Sequence, residues 1–177
     1  MTAFNLKSTV ITNRDATPKV ITDSQVDGAS IKECYGYVQT QGADDAAGST
    51  YRLCQVPSNA RLSSLSLQAG AMGSGAAIDV GVFYPTTIPA GAGLSQANAG
   101  LVINTQLFCS ALGCSAATVA TEIINSSANN TIAKQEQSLW QAAGLTTDPG
   151  IDLDIVVRVQ TAIATQAYIG LKARYAL

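Results

Sequence analysis

The stretch 151-IDLDIVVRV-159 decides the fold, because its residues alternate with the period of two that belongs to a β-strand. Ile151, Leu153, Ile155, Val157 and Val159 share one face, and Asp152, Asp154 and Arg158 share the other. Such a strand sets one face on a core and the other in water. The two aspartates then read as a solvated face rather than as an acid pair or a metal site. An acid pair for glycoside hydrolysis needs two carboxyls about 5 to 10 Å apart across a cleft, one of them in an apolar setting.

Beyond this strand the chain turns through QTAIATQ and returns as 167-AYIGLKARYAL-177. Here Ile169, Leu171, Ala173 and Tyr175 fall on one face and Lys172 and Arg174 on the other. A hairpin centred near Ile163 would place Asp154 opposite Lys172 and Asp152 opposite Arg174, cross-strand charge pairs worth roughly 0.2–1 kcal/mol each.

Upstream, 31-IKECYGYV-38 and 51-YRLCQV-56 read as strands around a loop rich in turn-forming residues. If the two flanks pair, Cys34 and Cys54 become neighbours. In 61-RLSSLSLQA-69, Leu65, Leu67 and Ala69 share a face; after the glycine-rich connector GAMGSGAA, Ile78, Val80, Val82 and Tyr84 alternate. Residues 86–100 read as a long surface loop. Two short helices are predicted, at 105-TQLFCSALG-113 and 136-EQSLWQAAG-144, each ending in a capping glycine, with Leu139 and Trp140 sealing one end of a core. The β-branched residues of 117-ATVATEIINSS-127 favour a strand.

The first thirty residues differ. In 9-TVITNRDATPKVITDSQ-25 the triplet VIT occurs twice, and with Pro18 between the copies no helix is expected. The two copies are either short edge strands or docking points of an extended arm. The resulting organisation is an N-terminal arm or edge strands over 1–30 and an all-β body over 31–177. That body is expected to be an antiparallel, jelly-roll-like β-sandwich.

Composition narrows the function. The chain has 177 residues, 47% hydrophobic and only 12% charged, with a net charge of −2; the charged share is about half that of an ordinary soluble domain. A surface this weakly charged suits packing inside a larger assembly. No Lys/Arg cluster offers a phosphate-tracking patch, so direct nucleic-acid binding is not expected. Histidine is absent, which removes His-based triads and most zinc sites. No apolar run is long enough for a membrane span, and the start of the chain lacks a signal-peptide pattern.

Cys34, Cys54, Cys109 and Cys114 are expected to be reduced and partly buried, since a chain of this length needs no disulfide framework. Asp44 and Asp45 lack the glycine and terminal glutamate of a calcium loop. The glycines of GAMGSGA are followed by no Lys-Ser/Thr, so they make no phosphate cradle. No cofactor and no catalysis are expected.

Three segments, 51-YRLCQVPSNARLSSLSL-67, 77-AIDVGVFYP-85 and 148-DPGIDLDIVVRVQTAIATQAYIGLKARYAL-177, resemble tailed-bacteriophage virion structural proteins in wording and order. The resemblance implies a small, non-enzymatic β-sandwich in the particle, a decoration or cement protein of the capsid. It implies as partners the major capsid protein or other virion proteins, and a homo-oligomer, with a trimer favoured. The contacts would come from apolar groups of the N-terminal segment: Phe4, Leu6, Val10, Ile11, Val20 and Ile21. Assembly would take place in the host cytoplasm. The alternatives are a tail, collar or fibre-attachment protein, or a receptor- or glycan-binding module. The last would show an aromatic-lined concave surface, for which aromatic residues at 6% give little support.

Overall fold

The protein is described by a computed structural model over residues 7–18, 20–21 and 30–177. Its strands are β1 (Ile31–Gln39), β2 (Thr50–Pro57), β3 (Arg61–Ala69), β4 (Ala77–Phe83), β5 (Val102–Gly113), β6 (Thr118–Glu122), β7 (Asp152–Thr161) and β8 (Tyr168–Ala176), with short helices α1 (Thr9–Asp15) and α2 (Leu139–Ala142). The order β1-β8-β3-β6 makes one sheet, here sheet A, and β2-β7-β4-β5 the other, sheet B. β1 pairs with β8, β2 with β7, β3 with β6 and β4 with β5, all antiparallel. First pairs with last and so on inward, as when one long hairpin is rolled up. This is the strand order of an eight-stranded jelly roll.

The alternation read from the sequence is what fills the sandwich. From sheet B, Val56, Ile78, Val80, Val82, Leu153, Ile155, Val157 and Val159 are fully buried; from sheet A, Leu65, Leu67, Ile169, Leu171 and Ala173 meet them. Each large aliphatic side chain among them contributes roughly 1.5–3 kcal/mol by leaving water.

The rolled topology overturns the predicted hairpin. β7 and β8 lie in different sheets, so Asp154 stands opposite Gln55 and Phe83, while Lys172 stands opposite Tyr35 and Ser66. Asp152 stands opposite Pro57, and Arg174 opposite Glu33 and Ser64. The second face of β7 is wet only towards its ends: Asp152 is exposed and the Arg158 side chain 37% exposed, but Val156 is fully buried and the Asp154 side chain only 14% exposed. β1 and β2 are likewise in opposite sheets, yet Cys34 and Cys54 are neighbours, the Cys54 thiol donating to the Cys34 carbonyl at 3.6 Å. They meet where the two sheets approach most closely.

Two helix readings change. Residues 105–113 belong to β5, whose apolar run packs on both sides rather than along one helical stripe. Thr9–Asp15 is helical: Pro18 lies past the helix end and interrupts nothing, and Ser8 caps the start by accepting the Ile11 amide at 3.4 Å. The second predicted helix is present as α2, with Leu139 buried and Gly144 at φ +92° beyond it. Its first amides donate to the β2–β3 turn, Leu139 to Ala60 at 2.8 Å and Trp140 to Ser58 at 3.0 Å.

The long loop after β4 is pinned from within. Ile88 is buried, and the Gln96 side chain bonds both its amide and its carbonyl. In the loop between β1 and β2, Asp45 is buried and accepts from the Gln41 amide and the Tyr51 hydroxyl. That carboxylate closes a loop and is not available to an ion.

Candidate interaction surface

Four of the ionic groups singled out by the sequence, Asp154, Arg158, Lys172 and Arg174, have ion-pair partners. Asp154 pairs with Arg52 at 2.6 Å, and the same guanidinium donates to the carbonyls of Tyr84 at 2.8 Å and Gly100 at 3.2 Å. Arg52 therefore ties β2, β7 and both ends of the 84–101 loop together, and it sits 5.7 Å from the centre of the Phe83 ring. Lys172 and Arg174 converge not on the aspartates but on Glu33, each at 2.9 Å. These two cations hold the Glu33 carboxyl below its ordinary range. Asp79 is wholly buried in β4 and accepts from the Ala111 amide at 2.9 Å and from Gln106 at 3.3 Å, with Arg158 at 3.6 Å. Ala111 has φ +52°, so Asp79 holds a left-handed kink in β5.

Among the described residues, no three His, Cys, Asp or Glu side chains could hold a metal ion. Burial pushes the Cys54 thiol up to about 12, with Cys34 adding to the effect, and the Cys114 thiol up to about 11. Neither is a nucleophile near neutral pH.

Of the apolar groups expected to make contacts, Phe4 and Leu6 lie outside the described residues. Val10 and Ile11 fall in α1, where Ile11 is half-buried. Val20 and Ile21 are exposed, Ile21 at 91%. The Val20 amide donates to the Asn13 carbonyl at 3.2 Å, folding the segment back on α1.

The surface that sequence reasoning missed is on the outer face of sheet A. Tyr35 and Tyr37 of β1 and Tyr168 of β8 are 64%, 67% and 59% exposed. The Tyr35 and Tyr37 ring centres are 6.1 Å apart, and those of Tyr37 and Tyr168 are 6.3 Å apart. They line an open groove of about 650 Å³ together with Gln68, Gln166, Thr118 and Val119. Gly170 lies beneath: a β-carbon there would be 3.3 Å from the Tyr35 hydroxyl. The signal was present in YGYV, since two tyrosines two residues apart share a strand face, and with Cys34 and Val38 turned to the core that face is the outer one. What brings Tyr168 to them is the pairing of β1 with β8, the first strand with the last.

No protein-family model matches the sequence, and no curated protein sequence matches it. Among solved structures, a chain in the cyanophage Pam1 capsid asymmetric unit matches at TM-score 0.50 and 18% identity, over 100% of this chain and 99% of that one. A chain in the capsid of Ralstonia phage GP4 matches at TM-score 0.54 and 20% identity, over 85% of this chain and 86% of that one. The chain shares its fold with components of two phage capsids. At these identities the likeness is one of fold, and it spans nearly the whole length of both neighbours.

Proposed function

We propose that this chain is a non-enzymatic structural protein of a phage virion that binds the capsid and stabilises it as a decoration or cement protein. The observation that carries the reading is the end-to-end fold match to a chain of a phage capsid asymmetric unit, which leaves almost no residue of either chain outside the alignment. The weakly charged surface and the exposed apolar residues Val20 and Ile21 support the same reading. In this scheme residues 31–177 are the body. Residues 1–30 supply contacts to the major capsid protein or to a neighbouring copy through Phe4, Leu6, Val10, Ile11, Val20 and Ile21. A trimer at a local threefold is the favoured oligomer. Its place is the virion, assembled in the host cytoplasm. Binding energy that exists only on the closed shell is lost if the shell bursts, so it stabilises the shell by mass action without any chemistry.

The test is to mix the purified protein with capsids lacking it and with isolated tails, and to image both by electron cryomicroscopy. Regular density on the shell is the expected outcome. Density confined to the tail would favour a tail, collar or fibre-attachment role. Deleting residues 2–25 should weaken shell binding at least tenfold, about 1.4 kcal/mol, while the body stays folded. Unchanged binding would reject the arm.

A further inference from the structure

We propose that the tyrosine groove on the outer face of sheet A is a binding site for a neutral oligosaccharide. Three exposed aromatic rings on adjacent strands are costly to leave in water, and Tyr35, Tyr37 and Tyr168 are gathered here although the chain has only 6 tyrosines. Their rings are tilted to one another by 33° and 56°, fanning across the groove rather than stacking shut. Each presents a flat apolar face with a hydroxyl at its end, the pattern that suits a sugar ring, which is apolar on its C–H face and hydroxylated at its edge. Tyrosine also loses little side-chain entropy when it is held by a ligand.

The rim supplies the complementary polar groups. Gln68 and Gln166 are exposed, and their side-chain amides make no hydrogen bond among the described residues. Each can donate to one sugar hydroxyl and accept from another. No residue lining the groove is an acid or a base of the Asp, Glu, Lys or Arg type, which disfavours phosphates, sialylated chains and nucleic acid. The ionic cluster of Glu33 with Lys172 and Arg174 adjoins one end of the groove, since Lys172 stands opposite Tyr35, but none of the three lines it, and Glu33 pairs with both cations, leaving one net positive charge. A volume of about 650 Å³ is within the range of small-molecule sites and admits a few sugar rings.

The site is a property of the isolated chain, so it is tested without capsids, and its failure leaves the shell-binding reading untouched. The full-length protein is applied to an array of neutral oligosaccharides built from hexoses, deoxyhexoses and N-acetylhexosamines. Hits are then titrated by calorimetry and by saturation-transfer NMR. At least one should bind, with Tyr37→Ala and Tyr168→Ala each weakening it tenfold or more and Tyr37→Phe weakening it less than threefold. Both positions are exposed, so the melting temperature should not move. Absence of any neutral ligand, or binding that is indifferent to the alanine variants, overturns the proposal. So does a change in sedimentation mass caused by those variants without any saccharide bound, since the groove would then hold a second copy of the chain.

Discussion

At Gly36 an added β-carbon would sit 1.8 Å from the carbonyl oxygen of Leu53, where β1 crosses β2 between the sheets. The neighbour is backbone, so nothing can swing aside; Gly36→Ala should destabilise the protein by about 3 kcal/mol or more, read as a lower urea midpoint. Glu33 gives a second test at this scale. Lys172 and Arg174 depress its carboxyl below the ordinary value of 4.5, so the stability it adds is present above that pH and is lost as pH falls through the lowered value. The urea midpoints of wild type and Glu33→Gln should therefore differ at pH 7 and converge as the pH is taken below the lowered value. A gap that persisted in acid would mean that the effect is not the carboxylate's charge.

The strands were legible one by one because a strand's faces are written in its own residues. Ile155, Val157 and Val159, or Leu171 and Ala173, announce their burial without reference to any partner. Pairing was not legible, because in a rolled sandwich the partner is set by the roll and not by nearness in sequence. Only β4 and β5 are both consecutive and paired, so the hairpin joining Asp154 to Lys172 was the reasonable reading and the wrong one. β5 was missed for a related reason: its residues 107–109 are all buried, so the period of two disappears where both faces are covered. The tyrosine groove inherits the same blindness, since Tyr37 and Tyr168 meet only through the β1–β8 pairing. At α2 the local signals sufficed. Leu139 plugs the core end while the helix's first amides bond the β2–β3 turn, and Leu139→Ala should cost about 2–4 kcal/mol in equilibrium unfolding. A loss below 1 kcal/mol would show that α2 is an ornament on the sandwich and not part of its seal.

For the molecule as a whole, the two ends of the chain are unequal. β8 is an inner strand of sheet A, hydrogen-bonded to β1 on one side and β3 on the other, and it brings Ile169, Leu171 and Ala173 into the core with no exposure at all. The described residues 7–18 and 20–21, by contrast, pair with no strand of either sheet. Cutting residues 2–25 takes away the described residues 7–18 and 20–21, none of which belongs to the core, whereas ending the chain at residue 165 removes the strand that joins β1 to β3 and leaves both with a bare edge over an open core. The first truncation should keep a single cooperative urea transition near the wild-type midpoint; the second should show none. The same topology governs the rate. Ile31 meets Ala176, so sheet A cannot close until nearly the whole chain has been gathered, and the entropy of that closure must be met before its contacts form. Refolding after a stopped-flow jump from urea should accordingly take milliseconds to seconds. A microsecond phase carrying the full amplitude, or a cooperative transition surviving in the chain ending at 165, would mean that the core closes without β8 and that the pairing of first strand with last is not what holds the sandwich together.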